Sequence, residues 1–234
     1  MQKERLLSEL ADEIRVCTKC RLCETRTNGV PGEGSARAKI MFVGEGPGEK
    51  EDLAGRPFVG PAGKMLNSLL ERAGIPREDV FITNIVKCRP PQNRVPAQDE
   101  IDACNDYLMG QIAIIEPKFI CTLGVPSLRT LLGAEMKMNA ARCKVFRKSG
   151  ILYIPLYHPA AALHNGSLQS TLQNDIMVLK ELIHRPIRED EITDLTPPIH
   201  RRPEPAPKQA PAKQRIVKAE EPEIDRKQEN LSLF

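Results

Sequence analysis

Short apolar runs alternate with longer amphipathic stretches along the first 196 residues of the chain. We predict strands for four apolar stretches: 39–44, 80–86, 118–123 and 145–156, the last divided at Ser149 and Gly150. We predict helices for five amphipathic stretches: 3–16, 62–73, 97–115, 126–132 and 170–184. Strands that alternate with helices of about ten or more residues form βαβ units. The pattern therefore predicts an α/β fold whose parallel sheet is covered by helices on both faces.

The predicted topology also indicates where a ligand binds. In open α/β sheets, ligands bind at the carboxyl ends of the strands. Three loops leave such ends, after Gly44, after Asn84 and after Leu156. These loops are therefore the first places in which to look for functional residues.

Residues 197–234 differ from the rest of the chain in composition. They hold seven of the 20 prolines and few large apolar residues before the last four positions. Such a segment cannot bury enough apolar surface to fold alone. We predict a folded domain over residues 1–196 and a disordered Pro-rich tail over residues 197–234.

Composition and charge exclude some classes of protein. The 34 Lys and Arg residues nearly balance the 31 Asp and Glu residues, and the net charge of +3 excludes a histone-like electrostatic binder. No apolar run approaches the ~18 residues of a transmembrane helix. The charged N-terminal residues have no signal-peptide pattern. We expect a monomeric cytoplasmic protein.

Seven cysteines are unusual for a protein in a reducing compartment, and an odd number argues against a closed set of disulfides. Cys17 and Cys20 form a C-x2-C motif, and Cys88 and Cys104 form a wider pair with 15 residues between them. Four thiolates of this kind can hold zinc or an iron–sulfur cluster. A zinc ribbon usually repeats the close pair in both halves, so the wide second pair favours a cluster.

The other three cysteines have no such clear assignment. Cys23 could replace either member of the first pair or remain a free thiol. Cys121 lies in an apolar stretch, where a small buried hydrophobic side chain is the simpler interpretation. Cys143 lies in a basic loop without an obvious partner.

Two glycine-rich loops follow the first predicted strand. Residues 44–52 read GEGPGEKED, which lacks the GK[ST] ending of a P-loop and is interrupted by Pro47. The glycines allow a ligand to approach the backbone closely, although the acidic residues disfavour phosphate and leave an acidic surface turn as the alternative. Residues 55–63 read GRPFVGPAG and present Phe58, either as a core plug or as a stacking platform for a ligand.

Two polar side chains stand at the ends of predicted strands. Asn84 ends the second strand, where its amide can either read a pattern of donors and acceptors or cap a turn. His158 follows the last strand, and both a structural and a catalytic role are open to it.

Together these motifs resemble the family 4 uracil-DNA glycosylases, the iron–sulfur enzymes of thermophilic bacteria and archaea. The resemblance is carried by GEGPGEKED, GRPFVGPAG, TNIVKCRPPQNR and YHPAAAL, with C-x2-C upstream, and covers residues 13–184. It implies a three-layer αβα sandwich with a four-stranded parallel sheet, and a [4Fe–4S] cluster. It also implies that uracil is excised from DNA by hydrolysis of its N-glycosidic bond, the first step of base excision repair.

The resemblance implies roles for particular residues. The implied cluster ligands are Cys17, Cys20, Cys88 and Cys104. The implied substrate-binding residues are Gly44, Glu45, Gly46, Phe58, Asn84 and His158. Catalysis also needs a carboxylate that positions water, and both Glu45 and Glu51 are candidates beside His158; Glu51 is alternatively expected to exclude the methyl group of thymine. The histidine loop of the covalent uracil-trapping relatives is absent after Pro96, which disfavours a suicide-type binder.

Basic residues near the predicted site are candidates for contacts with DNA phosphates. They are Lys87, Arg89, Arg94, Arg142, Lys144, Arg147 and Lys148. Scattered solvated charge is the alternative for each of them. We expect the cluster to pin the N-terminal segment and the loop between Cys88 and Cys104, and so to place Arg89 and Arg94 beside DNA.

The last seven residues form the only apolar cluster of the predicted tail. Gln228, Leu231 and Phe234 resemble the box that binds sliding clamps of the PCNA type, with the two apolar residues as a plug. Uracil-containing DNA and a sliding clamp are thus the expected partners, at a nucleoid-associated location. The alternative function is a non-catalytic iron–sulfur protein that binds nucleic acid or acts as an adaptor docked to the clamp.

Overall fold

The computed structural model describes residues 1–195. Its helices are α1 (Gln2–Val16), α2 (Glu49–Ala54), α3 (Pro61–Ala73), α4 (Gln98–Ile115), α5 (Val125–Leu132), α6 (Met138–Ala141), α7 (Pro159–His164) and α8 (Ser167–His184). Its strands are β1 (Glu33–Gly34), β2 (Ile40–Gly44), β3 (Phe81–Asn84), β4 (Phe119–Leu123), β5 (Val145–Lys148), β6 (Ile151–Leu156) and β7 (Ile192–Asp194). Short 3₁₀ helices cover Arg21–Glu24, Arg77–Asp79, Pro91–Asn93 and Glu189–Glu191.

The seven strands of residues 1–195 form one sheet in the order β1-β3-β2-β4-β6-β5-β7. The four central strands, β3, β2, β4 and β6, are parallel. β1 is antiparallel to β3, β5 is antiparallel to β6, and β7 pairs in parallel with β5. The α/β class with a parallel central sheet is confirmed. The expected count of four strands is wrong, because three short strands extend the parallel centre at its two edges.

A two-residue turn joins β5 to β6. Ser149 and Gly150 both have positive φ, 51° and 79°, as a type I′ hairpin turn requires. The twist of such a turn matches that of two antiparallel strands, and it sets Lys148 opposite Ile151. The break in the apolar stretch at Ser149 therefore reverses the chain near one edge of the sheet.

Alternate side chains of the central strands point into two apolar layers. On β2, Met41 and Val43 pack in a layer with residues of α1, α4 and α5. Ile40 and Phe42 pack in a second layer with residues of α3 and α8. Because successive residues of a strand face opposite sides of a sheet, one strand serves both layers. The predicted three-layer αβα arrangement is confirmed.

A short helix that the apolar pattern did not predict follows the first glycine-rich loop. α2 begins after Gly48 and has three acidic residues in its first turn, where the helix dipole stabilises carboxylates. One of them, Asp52, is buried and accepts hydrogen bonds from the backbone N–H groups of Thr27 (2.9 Å) and Asn28 (3.2 Å). This segment is therefore a helix start anchored to the preceding loop and not an acidic surface turn.

No helix within residues 1–195 is long and apolar enough to cross a membrane. The predicted tail, with Gln228, Leu231 and Phe234, lies outside the described residues. The division of the chain at residue 196 and the clamp-binding motif therefore stay predictions.

Candidate active site

A cavity of about 380 Å³ opens where the central parallel strands end. Its walls include residues of the loops after β2, β3 and β6, the three loops in which the sequence indicated a ligand. All the predicted substrate-binding and catalytic residues except Gly44 line this one cavity. Pro90, Asn93 and Arg94 line it as well, from the segment that follows Cys88.

Gly44 lies behind the cavity, at the end of β2. A Cβ atom at this position would lie 2.4 Å from Oδ1 of Asn84 and 2.7 Å from Cζ of Phe58. Heavy atoms do not approach a real Cβ so closely. The missing side chain therefore lets the amide of Asn84 and the ring of Phe58 occupy the space at the cavity wall.

Phe58 lies in the core and also borders the cavity, so its position is compatible with both roles that the sequence left open. Its side chain is buried in the apolar layer that contains α3 and α8, and it also borders the cavity. The centroid of its ring lies 5.7 Å from that of His158, with 34° between the ring planes. The backbone of Phe58 has a φ of 52°, which is uncommon for a bulky residue and is the kind of strain found at ligand sites.

Glu51 holds the turn at residues 58–60 (the Phe58 turn), and Gly63 lets α3 pack closely against it. Oε1 of Glu51 accepts hydrogen bonds from the backbone N–H groups of Val59 (2.9 Å) and Gly60 (2.7 Å). A Cβ atom at Gly63 would lie 1.8 Å from the carbonyl oxygen of Phe58, so α3 approaches the turn closely. One oxygen of Glu51 is thus committed to fixing the turn that presents Phe58.

Glu45, the other candidate carboxylate, also lines the cavity. It directly follows β2 and is half-buried. Its carbonyl oxygen accepts a hydrogen bond from the backbone N–H of Val86 (3.2 Å), which fixes the backbone beside the cavity. Burial raises the pKa of the Glu45 carboxyl above its ordinary value of 4.5. A half-buried carboxyl with a raised pKa is suited to accept a proton near neutral pH.

Asn84 ends β3 and is only 2% exposed. Its Oδ1 atom is buried and has no hydrogen-bond partner among the described residues. Buried polar atoms are nearly always paired, since an unpaired one costs about 1–3 kcal/mol. An unpaired amide oxygen in a residue that lines a cavity is therefore an acceptor suited to a ligand's N–H group.

Lys87 lies beneath Asn84 and does not face solvent. Its ammonium group donates hydrogen bonds to the carbonyl oxygen of Asn84 (2.7 Å), the hydroxyl of Thr83 (2.6 Å) and Oε1 of Gln111 (2.8 Å). Burial lowers its pKa to about 8. The prediction that Lys87 contacts DNA phosphates is wrong, because all three of these partners hold its ammonium group inside the fold.

His158 caps the helix that follows it. Its Nδ1 accepts a hydrogen bond from the backbone N–H of Ala160 (3.2 Å) at the start of α7. Burial lowers its pKa to about 4. The imidazole is therefore neutral at neutral pH, and with Nδ1 acting as an acceptor its proton is on Nε2. A neutral histidine in this tautomer can donate one hydrogen bond to a ligand in the cavity.

The four cysteines predicted as metal ligands share one apolar layer of the fold. Cys88 and Cys104 are buried in the apolar layer that contains α1 and α4, and Cys17 and Cys20 pack against the same layer. All four are free thiols. Burial, together with the nearby charges of Cys104 and Cys20, raises the pKa of Cys88 to about 11, against the opposing effect of Arg26. The fold thus brings both cysteine pairs to one apolar layer, and their role as metal ligands stays a prediction.

Hydrogen-bond donors point at three of these sulfur atoms. Nη1 of Arg26 lies 2.8 Å from Sγ of Cys88. The backbone N–H groups of Lys87 and Lys19 donate to the sulfur atoms of Cys104 (3.3 Å) and Cys17 (3.4 Å). Such donors stabilise thiolates, the form in which cysteine binds metals. Arg26 had no assigned role in the sequence, because its partner lies 62 residues away.

No group of three or more His, Cys, Asp or Glu side chains within residues 1–195 is arranged to hold a metal ion. A cluster binds each thiolate through a different iron, so its ligands need not converge on one point.

The other three cysteines are not part of this proposed ligand set. Cys23 remains half-buried near Cys20. Cys121 is fully buried on β4, as a small hydrophobic residue is. Burial raises the pKa of Cys143 to about 12.

The remaining basic candidates differ in how they are held. Arg142 is paired with Asp175, a buried residue of α8, and its guanidinium lies over the ring of Tyr157. Arg147 forms an ion pair with the exposed Glu189 (2.8 Å), and Lys148 donates to the carbonyl oxygen of Leu131 (2.6 Å). Asp175 had no assigned role in the sequence, because it is 33 residues from its partner.

A model of the uracil DNA glycosylase superfamily matches residues 31–182. The match covers more than half of the chain and includes the three loops that form the cavity. The class of protein to which fold and site point is therefore this superfamily.

Several curated relatives narrow the class further. The chain is 47% identical over 191 residues to a type-4 uracil-DNA glycosylase from Sulfurisphaera tokodaii, a match covering 78% of this chain and 87% of the relative. It is 49% identical over 197 residues to one from Saccharolobus solfataricus, covering 79% and 90%. It is 43% identical over 187 residues to one from Thermotoga maritima, covering 78% and 97%. The chain belongs to the type-4 uracil-DNA glycosylase family, which confirms the resemblance of its motifs.

Proposed function

We propose that this chain removes uracil from DNA by hydrolysing the bond between the base and its deoxyribose, the step that begins base excision repair. The observation that carries the proposal is the buried, unpaired Oδ1 of Asn84, in a cavity bordered by the rings of Phe58 and His158. Membership of the type-4 family supports the same activity and disfavours the non-catalytic adaptor.

Base recognition begins with a flipped nucleotide, because the target bond is not accessible within a stacked duplex. The ring of Phe58 stacks on the flipped base. Oδ1 of Asn84 accepts from N3–H of uracil, and its amide N–H donates to O4. Cytosine carries the reverse pattern at these two atoms, so its entry leaves buried polar groups unpaired.

The leaving group is stabilised by His158. When the bond between C1′ and N1 breaks, both electrons pass to the base, and negative charge collects on O2 of uracil. Nε2–H of the neutral His158 donates to this oxygen, together with backbone N–H groups near Glu45 and Gly46. One well-placed donor of this kind contributes about 3–4 kcal/mol to transition-state stabilisation.

The attacking water is positioned by Glu45. Water adds to C1′ of the developing sugar cation, and its proton passes to the carboxylate of Glu45. The raised pKa of Glu45 supports this role. Glu51 is the weaker candidate, since one of its oxygens already holds the backbone of Val59 and Gly60.

Glu51 instead forms a fixed wall of the cavity. Its two hydrogen bonds to the Phe58 turn hold the side chain in one place. A rigid carboxylate at this wall crowds the C5 position and excludes the methyl group of thymine. The enzyme thereby spares thymine while accepting uracil, which lacks that methyl group.

Cys17, Cys20, Cys88 and Cys104 would hold a [4Fe–4S] cluster. The proximity of the four thiols and the donors aimed at their sulfur atoms support this assignment. The cluster would supply a covalent cross-link between segments of the chain, since simple hydrolysis needs no electron transfer. Removal of iron that leaves DNA binding intact would count against this structural role.

DNA and a sliding clamp are the proposed macromolecular partners. The candidates for phosphate contacts are Arg89, Arg94, Arg142, Lys144, Arg147 and Lys148. Gln228, Leu231 and Phe234 are proposed to bind the clamp, with residues 197–227 as a tether. We further propose a monomer that works in the nucleoid.

The activity is tested with four oligonucleotides that differ at a single base: uracil, cytosine, thymine or hypoxanthine. Wild-type protein is incubated with each, and the released free base is measured. We expect release of uracil and no measurable release of cytosine or thymine. Absence of uracil release would overturn the proposed function, and the hypoxanthine arm defines how far the specificity extends.

A further inference from the structure

Glu100 is a buried carboxylate that no step of the proposed reaction uses. It lies in the first turn of α4 and is 0% exposed. Its Oε1 accepts hydrogen bonds from Nε of Arg21 (2.7 Å) and Nη2 of Arg94 (2.6 Å). Its Oε2 accepts from Nη1 of Arg94 (2.8 Å) and from the backbone N–H of Ala97 (2.8 Å). Hydrogen bonds from Arg94 lower the pKa of Glu100 to about 2, so the carboxylate is ionised.

Arg21 belongs to the segment that carries the first cysteine pair. It begins the 3₁₀ helix Arg21–Glu24 and directly follows Cys20. Apart from Glu100, its guanidinium contacts Asp99 at 3.2 Å. Through Arg21, the cysteine segment is therefore fastened to the start of α4.

Glu100 and Arg94 belong to the two segments that carry the second cysteine pair. Cys104 lies four residues after Glu100 on α4, which places both on the same face of the helix. Arg94 lies six residues after Cys88, in the loop that leads to α4. The carboxylate therefore joins the same three segments that carry the proposed cluster ligands.

Arg94 also reaches the active site. It lines the catalytic cavity beside Asn93. Its two hydrogen bonds to Glu100 form a bidentate pair, which fixes the plane of the guanidinium. The side chain is still 40% exposed, so it remains accessible to a phosphate group of a DNA strand entering the cavity.

We propose that Glu100 is a positioning residue that ties the cysteine segment at Arg21 to Arg94, and so couples retention of the cluster to binding of the DNA backbone. The inference deepens the proposed function and rests on it, since DNA is the ligand. Arg94 contacts phosphate, while Glu100 acts only through Arg94 and Arg21.

The sign of the change in DNA affinity separates this role from simple electrostatics. Replacing Glu100 with Gln removes a negative charge near DNA, which by itself strengthens attraction to phosphate. In the positioning role, the same change releases Arg94 from its fixed orientation and weakens binding. The segment at Arg21 also loses its anchor, so the cysteines beside it release iron more readily.

The test compares the wild-type holoenzyme with Glu100→Gln, Arg21→Gln and Asp99→Asn. Asp99 is the matched control, because it precedes Glu100, carries the same charge and forms only an exposed ion pair, which contributes little. Two quantities are measured: the Kd for a fluorescent single-stranded oligonucleotide without uracil, and the rate at which an iron chelator removes the visible absorbance. Circular dichroism monitors folding.

We expect Glu100→Gln to bind the oligonucleotide about tenfold more weakly and to lose iron about tenfold faster than wild type. Arg21→Gln leaves Arg94 bound to Glu100, so both quantities change in the same direction by a smaller factor. Asp99→Asn is expected to match wild type or to bind DNA slightly more tightly.

Wild-type or tighter DNA binding by Glu100→Gln overturns the proposal. If Glu100→Gln does not fold, an Arg21→Gln variant with unchanged affinity and unchanged iron loss overturns it instead. Because no arm of this test contains uracil, its failure is distinct from failure of the proposed function, which the uracil-release assay on wild type decides separately.

Discussion

Gly44 leaves room for the two side chains that face the base in the proposed function. A methyl group here would lie 2.4 Å from Oδ1 of Asn84 and 2.7 Å from the ring of Phe58. We expect Gly44→Ala to lower the rate of uracil release about 100-fold, because small displacements of positioning groups are costly. Overpacking should also cost about 1–3 kcal/mol of stability. Single-turnover base release and thermal unfolding measure the two effects.

Gly166 supplies the control for this substitution. A Cβ atom at Gly166 meets no atom within 4 Å, and the residue has an ordinary right-handed helical backbone. Gly166→Ala should therefore release uracil at the wild-type rate. A wild-type rate for Gly44→Ala as well would show that the cavity wall tolerates the methyl group, contrary to the crowding described above.

The pH dependence of the reaction distinguishes Glu45 from His158. As the base, Glu45 must be ionised, so the rate falls as the pH drops through its pKa, which burial places above 4.5. His158 has a pKa of about 4 and stays neutral over the same range. We expect Glu45→Gln to release uracil slowly and to lose this fall in rate at low pH (the acid limb), as measured in a pH profile of single-turnover rates. His158→Gln should be slow at every pH but keep the limb, and an unchanged limb in Glu45→Gln would exclude Glu45 as the base.

The sequence indicated which residues line the cavity when those residues stand at the end of a strand. Asn84 and His158 were predicted because each follows an apolar run at the carboxyl edge of the sheet. The burial of Lys87 was not predictable, because its partner Gln111 lies 24 residues away on α4. The proposed division of roles between Glu45 and Glu51 rests on the burial of Glu45 and on the hydrogen bonds of Glu51, which only the folded chain defines.

At the scale of elements, α2 is joined to the turn that carries Phe58 by the side chain of Glu51. Glu51→Ala removes the acceptor for the N–H groups of Val59 and Gly60 and opens the cavity wall. We expect a slower release of uracil and a newly measurable release of thymine, assayed with oligonucleotides that carry either base. Both changes follow from the loss of one carboxylate that holds the turn and occupies space.

Glu49 provides a control within the same helix. It is exposed in the first turn of α2, so Glu49→Ala removes an identical charge without touching the Phe58 turn. This variant should behave as wild type on both bases. Failure of Glu51→Ala to release any thymine would contradict the proposed exclusion of the methyl group.

The long elements were predictable and the short ones were not. Apolar runs and amphipathic stretches indicated the four central strands and helices such as α3, α4 and α8, because the strands are buried and the helices turn a repeated apolar face to the core. β1 has two residues and β7 has three, too few for a pattern to repeat. α2 is fixed by acidic residues at a helix start and by contacts with a distant loop, which apolar periodicity does not detect.

At the scale of the whole molecule, the clamp-binding motif is expected to act independently of the folded domain. Deleting residues 228–234 should abolish binding to a PCNA-type clamp, because it removes Gln228, Leu231 and Phe234 together. Release of uracil from a short oligonucleotide should be unchanged, since the cavity is formed by residues 45–160. Surface plasmon resonance on an immobilised clamp and a base-release assay measure the two properties.

Deletion of residues 208–214 is the matched control for the tail. It shortens the chain by the same seven residues but keeps the apolar end. This variant should bind the clamp like the full chain. Clamp binding that survives the loss of residues 228–234 would refute the assignment of the motif.

The most direct test of the uracil-specific cavity is the single-turnover rate of uracil release by wild type, Asn84→Ala and Asn93→Ala. Asn93 also lines the cavity and controls for general disturbance of its wall. We expect wild type and Asn93→Ala to release uracil rapidly, and Asn84→Ala to be slower by a factor of about 100 or more, since it loses the buried acceptor for N3–H. Uracil release by Asn84→Ala at the wild-type rate would contradict the proposed recognition of uracil by Asn84.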